Sequence, residues 1–442
     1  MGAAPRIPHM PRPTGVLATV AGALAGVAML AAGSGARVDG DEIQMPVRVL
    51  SVEGEWIDGT LRSADAGQWT IADAASGTER AIPCAGIAAF IVQRGAPGRA
   101  GDGDDATASN SAPLNLGMLE TAAGQRLPGT FRATGTTNYW DHRWIGAIPI
   151  TVDDIATMRL VGSRVPPRRA DADTVLLLNG DTATGFVAAL GLDVVLDPAA
   201  GSEGEAQRRI SLDRIGAIAL AESGATRAAG LRLWVADGSI VDGKDLRFDR
   251  AAGWGFQLLD PLLAGVRPAR TDDNSAANPI AGLLGGAEVV PLGALPRPTL
   301  TVPDAHLHLG VEQAFSVRGT ERALLGLARV ELAGPVVARY GLPRPLPPSS
   351  GGSRADKLVF TAELALAEPA PADVRVEVEV RLGGESSGRM LLDAANRRRA
   401  VRIAAPADAG ELVVTVTDGG NGIAGDAIVL ERACLVAPSD RR

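Results

Sequence analysis

The chain has 442 residues, a formal net charge of −8, two cysteines and only 3% aromatic residues. That length exceeds what one small core serves and implies several domains. An acid excess without clustered Lys and Arg argues against a general nucleic-acid surface, and two thiols exclude a disulfide framework.

Arg6 and Arg12 precede an apolar stretch over 16–32, with the small residues Ser34 and Ala36 around Gly35. This reads as a secretory signal over 1–36 with an A-x-A-like cleavage site, a retained single-span anchor being the alternative. No comparable apolar run recurs downstream, so no membrane span is expected after cleavage. The expected address is secreted, periplasmic or cell-envelope.

Beyond the signal, a strand-like run ends four times in a residue-plus-glycine turn, at Glu53-Gly54, Ala123-Gly124, Asn179-Gly180 and Asp237-Gly238. A second glycine follows each after the same interval, as Gly59, Gly129, Gly185 and Gly243. The first glycine predicts type I′ hairpins, and the second falls inside the returning strand, where a missing side chain marks a bulge or sharp bend. Alternation of apolar and polar residues favours strands over helices. Four β-repeats are therefore predicted, over 46–93, 115–162, 173–222 and 229–297, the last with an insertion near 263–286. The closing segment Ile82-Pro83-Cys84-Ala85-Gly86-Ile87 aligns with 150–155 and 210–215, and 289–295 is read as its fourth copy. Residues 94–114 lack an apolar period and read as a flexible linker. After Pro296-Arg297-Pro298 the alternating runs lengthen, which predicts a β-sandwich over 299–437.

Gly54-x4-Gly59 and its copies, each followed by a strand closed by isoleucine or leucine, resemble the small SH3-like or Sm-like barrels found in tandem in secreted planctomycete-type bacterial proteins. The stretch Glu411-Leu412-Val413-Val414-Thr415-Val416-Thr417-Asp418-Gly419-Gly420, leading to Asp426, resembles the end of the NPCBM family of carbohydrate-binding β-sandwiches. Together these resemblances imply an all-β protein: four small SH3-like barrel repeats followed by a jelly-roll-like β-sandwich.

Several motifs are weighed for chemistry. Gly238 to Lys244 nearly spells a phosphate loop, but Asp245 stands where a Mg²⁺-binding hydroxyl belongs, and hairpin geometry explains the glycines. Gly384-Glu385-Ser386-Ser387-Gly388 fits G-x-S-x-G, yet no histidine follows His308, so a hairpin turn is the better reading. Asp304, His306 and His308 alternate and would share a strand face, read as a polar face more than a metal site. Asp418, Asn421 and Asp426 surround a glycine-rich turn whose oxygens suit Ca²⁺, with turn chemistry as the competing reading. Trp69, Trp140 and Trp254 sit at matching places after the second glycine of repeats one, two and four, and are taken as the ligand-binding candidates.

The expected function is non-enzymatic binding in the cell envelope, to a surface glycan or an envelope protein, without cofactor apart from the calcium reading. A glycoside-type hydrolase and a structural assembly subunit stay open as alternatives.

Overall fold

The computed structural model describes residues 45–93, 116–135, 137–160, 168–169, 171–198, 206–221, 230–249, 253–259, 261–263, 277–302, 314–319, 323–343, 357–420 and 426–438. The signal reading over 1–36 and the linker over 94–114 lie outside these residues. Among them every extended element is a strand, and the only helical turns are three-residue 3-10 segments. The chain is all-β.

Repeat one runs β1 (Met45–Ser51), β2 (Trp56–Ala64), β3 (Gln68–Asp73), β4 (Glu79–Pro83), a 3-10 turn (Cys84–Gly86) and β5 (Ile87–Val92). Each strand pairs antiparallel with the next up to β4, and β5 returns to β1. Repeat two copies this order with β6 (Gly117–Thr121), β7 (Arg126–Ala133), β8 (Asn138–His142), β9 (Gly146–Ile150) and β10 (Ile155–Arg159). Repeat three follows with β11 (Asp173–Leu177), β12 (Thr182–Leu190), β13 (Asp193–Asp197), β14 (Arg208–Ser211) and β15 (Ile215–Ala219). Repeat four has β16 (Leu231–Val235), β17 (Ile240–Asp249) and β18 (Gly253–Leu258), and closes with β19 (Pro279–Leu283) on β16.

The four glycine turns share one geometry, and it is not type I′. Gly54, Gly124, Gly180 and Gly238 take φ of 78°, 77°, 90° and 93°, while the residues before them stay out of the left-handed region. In the first copy Gly54 N–H bonds to Ser51 O and Ser51 N–H to Glu55 O, and the same pair of bonds recurs at Thr121, Leu177 and Val235. This is a three-residue loop, a type I turn closed by a left-handed glycine bulge, which needs positive φ at one residue only. The second glycines are the corners. A Cβ on Gly59 would stand 2.4 Å from Ala72 O, on Gly129 2.6 Å from Asp141 O, and on Gly185 2.3 Å from Asp197 O. The third strand's backbone occupies the space a side chain would fill, so these strands bend sharply only where no Cβ intervenes.

The repeats are not separate. Strand β5 pairs with β19 at Ala281–Ile91, Gly282–Phe90 and Leu283–Ala89. Strand β10 pairs with β15 at Thr157–Ala219, Met158–Ile218 and Arg159–Ala217. Repeats one and four, and two and three, are thus joined along equivalent closing strands. In each seam the central pair is the fourth residue of one closing strand against the fourth of the other. At the first seam the Phe90 ring fills the place of a side chain at Gly282, whose Cβ would lie 2.4 Å from Phe90 Cε1.

The C-terminal region comprises β20 (Ala287–Pro291), β21 (Thr299–Thr301), β22 (Phe315–Arg318), β23 (Arg329–Ala333), β24 (Val336–Gly341), β25 (Lys357–Leu366), β26 (Arg375–Leu382), β27 (Glu385–Asp393), β28 (Arg398–Pro406), β29 (Glu411–Asp418) and β30 (Ala427–Pro438). One sheet runs β22-β23-β30-β25-β28 with β20 also on β30, and the other runs β21-β24-β29-β26-β27. Alternating residues such as Val376, Val378, Val380 and Leu382 are fully buried, as a two-sheet sandwich requires. Gly383 and Gly384 make the β26–β27 hairpin turn and Glu385 to Gly388 opens β27, with Ser386 Oγ donating to Glu379 Oε1 at 2.8 Å.

One boundary differs from the sequence reading. The fourth closing segment is β19, whereas 289–295 contributes β20 and the 3-10 turn Leu292–Ala294 to the sandwich. The local pattern of strand, proline and 3-10 turn is the same as at Ile82-Pro83-Cys84, but its partner is β30. The two regions meet across an apolar layer that includes Leu50, Ala89, Ala281, Val359, Cys434 and Val436. Arg402 Nε donates to Glu53 O at 2.6 Å across the same contact.

Candidate functional site

The tryptophans taken as ligand candidates are core residues. Trp69 on β3 and Trp140 on β8 have no exposed surface, and Trp254 on β18 is half-buried. Trp69 and Trp254, from repeats one and four, meet with ring centroids 6.0 Å apart, and Phe90 lies 5.0 and 5.4 Å from them. Trp140 lies over the corner glycine of its own repeat, with Nε1 2.5 Å from the place of a Gly129 Cβ. In repeat two the indole occupies the space that the missing side chain leaves; among the described residues no tryptophan stands at the equivalent place beside Gly59 or Gly243. The Nε1–H groups of Trp140 and Trp254 have no hydrogen-bond partner, unlike most buried indoles.

A buried Ser–His–Asp grouping joins repeats two and four, and the sequence reading missed it because its members sit on separate repeats. His142 Nε2 is 2.9 Å from Ser239 Oγ and 3.3 Å from Asp237 Oδ2. Trp144 Nε1 donates to Asp237 Oδ2 at 2.8 Å, and Ser239 N–H donates to Asp237 Oδ1 at 2.8 Å. A hydrolytic triad uses opposite ring nitrogens for acid and serine. Here both crowd Nε2, while Nδ1 accepts the Ile145 N–H, and Ser239 is fully buried. The arrangement fastens two repeats together and presents no nucleophile. Burial pushes the Asp237 carboxyl upward, but the His142 and Ser239 hydrogen bonds more than offset it and hold it below the usual value.

The β22 edge of the sandwich carries a groove of about 510 Å³, lined by Gly293, Leu295, Arg297, Phe315, Ser316 and Val317. Its floor is edge strand β22, and its wall is the 3-10 turn after β20 with the proline-flanked Arg297. The Arg297 guanidinium stands over the Phe315 ring, 5.8 Å from its centroid. A search of the sequence for tryptophan platforms passes over this site, because its single aromatic is a phenylalanine. Asp304, His306 and His308 lie outside the described residues.

Asp418 ends β29 and Asp426 directly precedes β30, and the Asp418 charge acts on the Asp426 carboxyl. Asp418 Oδ1 accepts the Gly420 N–H at 2.8 Å. Asp426 is 3% exposed, and neither carboxylate oxygen has a hydrogen-bond partner. Burial, with a smaller push from the Asp418 charge, raises its pKa to about 6. Asn421, the third residue of the calcium reading, lies outside the described residues. Neither cysteine is bridged: Cys434 is buried and Cys84 is half-buried.

No family model matches the chain, and no curated protein matches it. Solved structures give faint likenesses. The CBM51-2 and INT domains of Clostridium perfringens ZmpB match at 14% identity and a TM-score of 0.25, covering 35% of this chain and 32% of that one. The CBM51 of C. perfringens GH95 in complex with methyl-galactose matches at 19% identity and 0.24, covering 34% and 99%. Tandem CBM51 modules of Sp3GH98 from Streptococcus pneumoniae match at 10% and 0.25, covering 88% of each chain. The chain thus spans about a third of the length of the first of these. At these scores the likenesses bear on neither its family nor its ligand.

Proposed function

We propose that this chain is a non-enzymatic glycan-binding protein of the cell envelope, with its contact surface on the sandwich. The observation that carries this reading is the Phe315–Arg297 groove. The guanidinium stacked over the ring supplies donors for a sugar's hydroxyl oxygens, and the part of the ring it leaves uncovered offers the sugar's C–H groups an apolar contact. The groove is open, which suits an extended or branched chain end rather than an engulfed small molecule. The NPCBM resemblance around Asp418 and Asp426 points to the same class. On this reading the repeats are a scaffold whose tryptophans hold cores together, and the signal-like segment over 1–36 directs export.

A hydrolase reading gains nothing from the Ser–His–Asp grouping, whose geometry and burial serve a junction. The test is a glycan array probed with the folded chain. It should return a defined set of sugars, with Phe315→Ala and Arg297→Ala each weakening the best hit by about tenfold, equal to about 1.4 kcal/mol. A blank array, or variants that bind like the parent, would sink the proposal.

A further inference from the structure

We propose that the β29–β30 end of the sandwich binds a hard divalent cation of the calcium class through the carboxylates of Asp426 and Asp418. The inference starts from how this chain treats its buried acids. Among the described residues three aspartates are buried: Asp173, Asp242 and Asp426. Asp173 accepts the Val187 N–H at 2.7 Å and the Ala221 N–H at 2.6 Å. Asp242 is bonded to Arg232 Nε at 2.8 Å. Asp237, nearly as enclosed, has His142, Trp144 and Ser239. Only Asp426 has both oxygens buried without a partner. A carboxylate removed from water needs hydrogen bonds, an opposite charge or a metal, and the first of these is absent here.

Its neighbour makes the second half of the case. A carboxylate placed close to another carboxylate repels it, and the pair becomes favourable when a cation lies between them. Both backbones are held in place: Asp426 O accepts the Gly334 N–H at 2.7 Å, and Gly419, next to Asp418, donates to Arg375 O at 2.9 Å. Carboxylate oxygens are hard ligands, and calcium tolerates the irregular geometry of a strand-end turn better than magnesium does. The proposal does not depend on glycan binding, and its test contains no sugar.

The test is calorimetric titration of the EDTA-treated full chain with CaCl₂, alongside MgCl₂, together with thermal melts. Calcium should bind one equivalent per chain and raise the melting temperature, with magnesium at least tenfold weaker. Asp426→Asn should abolish the calcium heat, and Asp418→Asn should weaken binding at least tenfold, with tryptophan fluorescence reporting that the repeats stay folded. Absence of heat and of any melting shift in the parent chain up to about 10 mM calcium would overturn it, because extracellular sites bind tighter than that. So would Asp426→Asn binding like the parent. If Asp426→Asn fails to fold, the parent titration and Asp418→Asn decide the matter. A parent chain indifferent to calcium means that Asp426 is simply held protonated.

Discussion

Gly54 and Gly180 occupy the same turn position, yet their surroundings differ in a way that substitution should expose. Both have positive φ, so alanine costs about 1–2 kcal/mol at either. A Cβ on Gly180 meets nothing within 4 Å, whereas on Gly54 it would stand 2.5 Å from Val359 Cγ1 of the sandwich. Gly54→Ala should therefore destabilise by about 1–3 kcal/mol more than Gly180→Ala in urea melts. Trp140→Ala should cost about 3–5 kcal/mol and leave any glycan affinity of the folded protein unchanged. The glycine spacing was legible because only glycine tolerates both a left-handed turn and a strand crossing without a Cβ. The turn type was misread through the Asn179 and Asp237 copies, which suit type I′. The other two copies carried the corrective signal: Glu53 and Ala123 rarely take positive φ, so the turn had to need only one such residue. The tryptophans were read for their chemistry, whereas packing governs their place: Trp140 lies over Gly129, and Trp69 and Trp254 pack on Phe90 and on each other.

At the scale of elements, the seams and the His142 junction set how the repeats hold together. Asp237 is held below its ordinary pKa, so its junction contributes stability above the unfolded carboxylate value near pH 4 and loses it as pH falls through the folded value. Melting temperature followed from pH 7 to pH 2 should therefore drop on the acid side. Asp237→Asn should flatten part of that drop while lowering stability at neutral pH by about 1–3 kcal/mol. A parallel acid limb in variant and parent would remove the junction from the account. None of this could be read from the chain in order, because His142 and Asp237 each look like ordinary strand and turn residues within their own repeats. The misplacing of 289–295 has the same root. Local sequence determines that a strand, a proline and a 3-10 turn follow one another, but only tertiary contacts decide whether that strand pairs inside its repeat, as β4 does with β3, or with β30 of the sandwich.

Among the described residues the four repeats share one core, and the sandwich takes its first strand from before the expected boundary. A fragment of residues 286–438 keeps β20 against β30, while one of 299–438 leaves that edge of β30 bare. The shorter fragment should melt at least about 5 °C lower in calorimetry, and equal stability would show that β20 belongs energetically with the repeats. The all-β class and the sandwich were legible from alternation, whereas the groove proposed for binding was not, because Arg297 and Phe315 meet only after the strands assemble. Hydrogen exchange with and without the best array sugar tests the central claim most directly. Binding through the groove predicts slowed exchange confined to the amides of Phe315, Ser316 and Val317 and of Gly293 to Leu295. Protection centred on the repeats, with those amides unchanged, would contradict it.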